Sequence, residues 1–310
     1  LIELHGGTLV LTQLRLRADE SAAVDSLIHV EDGNLVCYRC QLLSPAFAGT
    51  STHRLITFKA ESTRPYPVSP GSALFASPPD RPVCILGDCT LITEGGAIRA
   101  VLGNGLVDLY QTAIAAGTDA IELLPAAVAR GRFDCDLELD QCTVASQANI
   151  IRLGRWPGAA PGPDRPLLIT TRNCAFLGTY DRRVSSTSST VLLRVNEEAM
   201  AGGTVFWQGA GDATEVDAFT AADGEPFFGR PRDVVSQWVY FWGSNHMREI
   251  TGPRAPVNVP SVRLLLGERL KPGRIEPADL ILDAAYHPGV GADLARQGIS
   301  RRTGPGGRRR

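Results

Sequence analysis

Residues 137–144 read Leu137-Glu138-Leu139-Asp140-Gln141-Cys142-Thr143-Val144, an apolar-x-apolar-x-x-Cys-x-apolar stretch. The same form, with Cys, Leu or Thr at its third fixed position, lies over the chain in five more places. These are Leu9/Leu11/Leu14/Leu16, Leu35/Cys37/Cys40/Leu42, Cys84/Leu86/Cys89/Leu91, Val107/Leu109/Thr112/Ile114 and Ile169/Thr171/Cys174/Phe176. Alternation marks a strand with one buried face, and the two-residue gap restores inward pointing after a bend. Each copy is therefore two short strands around a corner. A weaker seventh copy begins at Val205 and Trp207, where the pattern is expected to dissolve.

Between copies lies a third apolar pair: Ile28/Val30, Leu74/Ala76, Ile98/Ala100, Ile121/Leu123, Ile151/Leu153 and Leu193/Val195. Three strands per repeat of roughly two to three dozen residues is the plan of a parallel β-helix. The predicted fold is all-β, a right-handed parallel β-helix solenoid of about seven three-strand coils over residues 1–219, with an irregular C-terminal capping region.

A single coil cannot bury its inner face, whereas stacked coils pair backbone to backbone at about 4.8 Å and align like side chains inside. Six of the seven cysteines fall on inward positions, and Cys40, Cys89, Cys142 and Cys174 share one column with Leu14 and Thr112. Two thiols aimed the same way from parallel neighbours make poor disulfide geometry, so all seven are expected to be free. The residue before that column is polar in every copy: Gln13, Arg39, Asp88, Gln111, Gln141 and Asn173. It sits at the bend, where stacked side chains can bond to one another. Arg172-Asn173-Cys174-Ala175-Phe176 resembles the corner of the pectin-lyase-like family of right-handed β-helix proteins. The resemblance covers about two thirds of the chain and implies fold alone, because that superfamily holds lyases, hydrolases, adhesins and inert spacers.

Three loops interrupt the coils, at about Leu43 to Ser72, Pro125 to Phe133 and Trp156 to Arg165. From residue 220 the period is lost, and Phe227, Phe228, Trp238, Tyr240, Phe241 and Trp242 concentrate aromatics; residues 220–298 read as a cap over the open solenoid end. Residues 299–310 read as a disordered Arg-rich tail, with five arginines in the last ten positions against a net charge of −2 for the chain. The body is mildly acidic, which argues against nucleic acid as a partner. No apolar run is long enough to span a bilayer. The chain opens at Leu1 inside an apparent strand and without an initiator Met, so it is expected to be the C-terminal part of a longer protein with upstream domains; the compartment is left open.

Motifs that carry chemistry are sparse. The pair Cys37 and Cys40 has the interval of half a zinc knuckle, but both thiols fall on inward positions and read as core. Asp134, Asp136, Glu138 and Asp140 alternate with apolar residues and read as the outer decoration of a strand. The five histidines, His5, His29, His53, His246 and His287, show no metal-ligand spacing, and neither a metal nor a cofactor is expected. What remains is the outward residue of each third strand: His29, Phe75, Arg99, Glu122, Arg152 and Arg194. Stacking lines these up. Family resemblance implies that this sheet and its bordering loops can form a saccharide groove, with carboxylates and basic residues as the working groups.

Arg99, Glu122, Arg152 and Arg194 are thus the candidate catalytic residues, and Trp156, His29 and Phe75 the candidate ligand contacts. Neither the paired-Asp hydrolase pattern nor the lyase-type Asp cluster of the family is present. The reading is a non-catalytic β-helix module, a rigid scaffold or binding surface for a protein or polysaccharide. The alternative is a carbohydrate-active enzyme, a polysaccharide lyase or glycoside hydrolase on anionic glycans.

Overall fold

A computed structural model describes residues 1–18, 25–44, 53–61, 81–126, 134–154, 167–178, 190–195, 205–216, 218–222, 225–226, 277–280 and 289–299. Strands β1 (Ile2–His5), β2 (Thr8–Thr12) and β3 (Arg15–Arg17) make the first coil. The second holds β4 (Ser26–Glu31), β5 (Asn34–Tyr38) and β6 (Gln41–Ser44); the third, β7 (Arg54–Ala60), β8 (Val83–Gly87) and β9 (Thr90–Thr93). The fourth holds β10 (Gly96–Leu102), β11 (Asn104–Tyr110) and β12 (Ala113–Ala116), and the fifth β13 (Ile121–Pro125), β14 (Asp134–Asp140) and β15 (Thr143–Ser146). Next come β16 (Asn149–Leu153), β17 (Leu167–Arg172) and β18 (Ala175–Gly178), then β19 (Val191–Arg194), β20 (Val205–Ala210) and β21 (Ala213–Glu215). An eighth coil opens with β22 (Ala218–Ala222), on which β23 (Glu225–Pro226) pairs antiparallel. Every third strand is hydrogen-bonded to the next, giving three sheets: β1-β4-β7 onward (sheet 1), β2-β5-β8 onward (sheet 2) and β3-β6-β9 onward (sheet 3). Apart from β22 with β23, the pairs are parallel. The protein is a parallel β-helix of three-strand coils.

The corner between sheets 2 and 3 shows why the repeat reads as it does. Gln13, Arg39, Asp88, Gln111, Gln141 and Asn173 all take left-handed φ values between 49° and 55°. For residues with a Cβ that conformation costs about 1 kcal/mol or more each, so something must offset it at every rung. The side chain that follows the bend donates to a backbone carbonyl of the neighbouring coil. Cys40 Sγ donates to Leu11 O at 3.4 Å, Cys89 Sγ to Cys37 O at 3.5 Å and Thr112 Oγ1 to Leu86 O at 2.9 Å. Cys142 Sγ and Cys174 Sγ continue the series to Leu109 O and Leu139 O at 3.2 and 3.4 Å. Each acceptor belongs to the preceding coil. A leucine or valine would fill the same space and leave those carbonyls without this donor. The column thus selects small side chains with a proton to give, and the polar residues before it stack in turn: Gln111 Nε2 donates to Gln141 Oε1.

The inward columns form one continuous apolar core from Leu11 to Trp207. All seven cysteines are free and buried within the stack, Cys135 included. Burial pushes the Cys84 thiol up to about 12, with the Asp108 carboxylate adding to it, and raises Cys174 as well. Such thiols are poor nucleophiles.

Three expectations need correction. Leu14 heads the corner column yet is 41% exposed, because among the described residues no coil stacks on the free side of the first one. The third coil takes its sheet 1 strand from β7, where Ile56 and Phe58 are fully buried, and not from Leu74/Ala76; β7 pairs with both β4 and β10. Residues 62–80, including Phe75, lie outside the described residues. The seventh copy does not dissolve but sits two residues later than expected, since Trp207 pairs with Ile169 and Gly209 with Thr171. Gly211 then takes the left-handed corner position (φ 70°), where a Cβ would collide with Asn173 Oδ1, and Asp212 continues the Cys column. Asp212 works in the opposite direction, accepting from the backbone N–H of Cys174 and from Thr171 Oγ1. Burial pushes its carboxyl up to about 6 despite those two donors.

Two short pieces of the region after residue 220 lie on the flank of the solenoid. The short turns Pro277–Leu280 and Leu294–Gln297 pack on the outer face of sheet 3, where Leu280 and Leu294 are buried against Ala113, Ala115, Ala145, Leu177 and Ala213. The aromatic cluster of Phe227 to Trp242, together with His246 and His287, lies outside the described residues. Among the described residues no helix is long and apolar enough to cross a membrane.

Candidate functional site

Sheet 1 carries its outward residues in register. Glu3 pairs with His29, His29 with Thr57, Thr57 with Arg99, Arg99 with Glu122, Glu122 with Arg152, and Arg152 with Arg194. Stacking therefore does bring Arg99, Glu122, Arg152 and Arg194 into one line. Thr57 fills the rung expected for Phe75. Trp156 lies outside the described residues.

Glu122 is the centre of this line and is only 5% exposed. Its Oε2 accepts from Arg99 Nε at 2.7 Å and from Arg54 Nη2 at 3.0 Å, and its Oε1 lies 3.5 Å from Arg152 Nη1. Arg54 comes from β7, two coils from β13. To reach Glu122 it crosses β10 over Gly96, where a Cβ would stand 2.5 Å from the Arg54 Nε; only glycine leaves the passage open. Arg54 is itself buried and donates a second bond, from Nη1 to His53 O at 3.0 Å.

A second carboxylate extends the network. Asp119, just before β13, accepts from Arg152 Nη1 at 3.2 Å and from Asn149 Nδ2. The Asn149 Oδ1 accepts from Arg194 Nε at 2.8 Å. Three arginines thus share two carboxylates, Arg194 joins through Asn149, and this set of side chains carries a surplus of positive charge. The exposed guanidinium is chiefly Arg152, 46% exposed, with Arg99 partly so.

Electrostatics decide what Glu122 can do. Burial alone would raise its pKa, but the hydrogen bonds and charges of Arg99 and Arg54 outweigh burial and hold the carboxyl below its ordinary value. It is ionised at neutral pH. A general acid needs a proton to give, and a general base needs a lone pair facing substrate; here both oxygens face guanidiniums. The arrangement suits holding an anion, because Arg99 and Arg152 present planar donors on either side of a neutralised carboxylate.

His29 lies on the same outward face, on the far side of Thr57 from the arginines. Its Nε2 is 3.8 Å from Glu31 Oε2, and the His5 ring stands 6.4 Å away, centroid to centroid. On sheet 2 the acidic stretch splits in behaviour. Asp136 is buried and paired with Arg81 at 2.6 Å, whereas Asp108 meets Glu138 directly across the ladder. Burial, then the charges of Glu138 and Asp140, push the Asp108 carboxyl up to about 6.

Sequence reasoning missed Arg54, Asp119 and Asn149. Arg54 was within reach of it, since Arg54-Leu55-Ile56-Thr57-Phe58 has the alternation of Gly96-Ala97-Ile98-Arg99-Ala100. Asp119 precedes β13 and Asn149 is the first residue of β16, positions at the strand entrance where alternation says little about direction. Comparisons with family models, curated proteins and solved structures found no match.

Proposed function

We propose that this chain is a non-catalytic β-helix module, a rigid scaffold whose sheet 1 face binds an acidic partner, a polysaccharide or an acidic protein surface. The observation that carries this reading is the state of Glu122. The best-placed carboxylate on the face is buried under three guanidiniums and kept ionised, so it orders arginines and has no proton to transfer. The surplus charge on Arg152 and Arg99 faces outward, where carboxylate or sulfate groups can be held by paired N–H donors. A stacked sheet also keeps these donors at a fixed rung spacing of about 4.8 Å, which favours a polymer with regularly spaced acidic groups over a single small anion.

The test is incubation with a panel of acidic polysaccharides, following both retention and product. Retention without unsaturated products or new reducing ends is expected, weakening with salt and on Arg152→Ala. Turnover that disappears on Glu122→Ala or Arg152→Ala would install the lyase or glycosidase reading in its place.

A further inference from the structure

The outer faces of sheets 1 and 2 carry opposite charge along the same stretch of the stack. On sheet 1 Arg99, Arg152 and Arg194 stand outward on the fourth, sixth and seventh coils. On sheet 2 Asp108 stands outward on the fourth coil and Asp136, Glu138 and Asp140 on the fifth, alternating with the buried Val107, Leu109, Leu137 and Leu139. Arg81 is taken up by Asp136, and Arg172 lies 3.8 Å from Asp140. Among the described residues Asp108 and Glu138 therefore meet across the ladder with no cation of their own. Two tyrosines border these acidic rungs. Tyr110 stands across from Asp140 on one side and from Gly87 on the other, and Tyr38 is the next residue in that column. A Cβ on Gly87 would stand 3.1 Å from Tyr38 Cδ2, so the glycine lets that ring lie over the sheet. Tyr38 and Tyr110 are 41% and 39% exposed. Tyrosine and arginine are the side chains that anchor protein interfaces most often.

We infer that the sheet 1 face of one copy docks on the sheet 2 face of a second copy of this chain, guanidinium against carboxylate. The inference rests on the reading of sheet 1 as an anion-binding face and identifies the acidic protein surface that it takes. Both faces are parallel ladders with the same rung spacing of about 4.8 Å. Arg152 and Arg194 stand on adjacent rungs, as do Asp108 and Glu138, so two guanidiniums and two carboxylates recur at matching intervals. Sheet 3 does not compete for the contact, because Leu280 and Leu294 already lie on its alanines. The two docking faces are different surfaces of the chain, so the contact is heterologous. Each copy that joins leaves one face of each kind open at the ends, and assembly runs past a dimer into a ring or a filament.

The experiment is sedimentation velocity of the full chain over a range of concentration, at low and at raised salt. Species larger than a dimer are expected at low salt, with association weakening about tenfold or more as salt rises. Glu138→Lys sets an ammonium against guanidiniums and should weaken association roughly 100-fold. The same variant should leave retention on acidic polysaccharide as it was, because Glu138 is not on sheet 1. Arg152→Ala should weaken both. Glu138 and the Arg152 side chain are exposed, so neither variant threatens the fold. An equimolar mixture of the two variants is the sharpest test, since each keeps the face that the other has lost. A dimer with one copy of each is expected, and nothing larger. A wild-type chain that stays monomeric at low salt, association indifferent to Glu138→Lys, or a mixture no more associated than either variant alone would each overturn the inference. Retention on polysaccharide in those cases would leave the anion-binding reading of sheet 1 in place.

Discussion

The outer faces of sheets 1 and 3 are built on the same parallel ladder and meet opposite fates. Sheet 1 presents Arg99, Glu122, Arg152 and Arg194 in register, tied into one network with Arg54, Asp119 and Asn149. Sheet 3 presents Ala113, Ala115, Ala145 and Leu177, and Leu280 and Leu294 lie on them fully buried. Each buried leucine stabilises by about 1.5–3 kcal/mol relative to exposure, so the returning segment is held chiefly by those two side chains and a few hydrogen bonds. A column of small apolar residues facing outward marks a face covered by its own chain. A column of guanidiniums over ordered carboxylates marks one that the described residues leave partly open, with Arg152 46% exposed.

The largest effect should come from cutting the centre of the charged face. Glu122→Ala leaves the buried Arg54 guanidinium without its carboxylate, and a loss of about 3–5 kcal/mol in unfolding free energy is expected from denaturant titration. A loss under 1 kcal/mol would mean that Arg54 is held by its other contacts and that the network is decoration. Replacing Ala145 by Asp on the opposite face buries a charge under the returning segment. About 2–3 kcal/mol should be lost, with amide exchange at residues 291–298 accelerating well before that of the coils. If both regions accelerate together, the segment is part of the same cooperative unit and the two faces differ less than their chemistry suggests.

The smallest effect separates two carboxylates by sign. Glu122 is lowered by its arginines, so its contribution is present above the ordinary carboxylate range and is lost as pH falls through its folded pKa. Asp108 is raised to about 6, so the folded state holds its proton more firmly than the unfolded chain does, and stability rises as pH falls from about 7 to 4. Asp108→Asn should therefore stabilise by about 1 kcal/mol at pH 7, after discounting for partial exposure, and by almost nothing at pH 4. Equal effects at both pH values would remove the electrostatic explanation.

Most of the stack was legible because burial repeats in a β-helix. Leu35, Leu86, Leu109, Leu139 and Ile169 had to be apolar for the same reason, and the polar corner residue before each Cys or Thr marked the bend. Reading failed where one rung satisfied the geometry with different residues. Trp207, Gly209, Asp212 and Thr214 hold the seventh corner, but a glycine and an aspartate break the apolar count. Arg54 at the start of β7 lacked the small residue that opens β10, and the pair Leu74/Ala76 imitated it. The candidate site was half legible: the outward column followed from periodicity, whereas the burial of Glu122 depends on Arg54 reaching across two coils. The alanines of sheet 3 broke the inward-outward alternation visibly, yet nothing in them names a partner more than 100 residues further along.

Stacked repeats carry a hazard of their own, since a chain whose coils look alike can skip one and still bury its core. The returning segment crosses the coils one at a time. Gly291 N–H donates to Asn173 O of the sixth coil, Ala292 N–H to Thr143 Oγ1 of the fifth and Asp293 N–H to Gln111 Oε1 of the fourth. Gln297 closes the series on the third, accepting from Thr90 Oγ1 at 2.7 Å and donating to Cys89 O. Three consecutive residues and a fourth just beyond therefore count four rungs in order. Omission of the fourth or fifth coil would break this order of contacts, so the segment acts as a vernier that only a helix correctly wound from its third to its sixth coil can match.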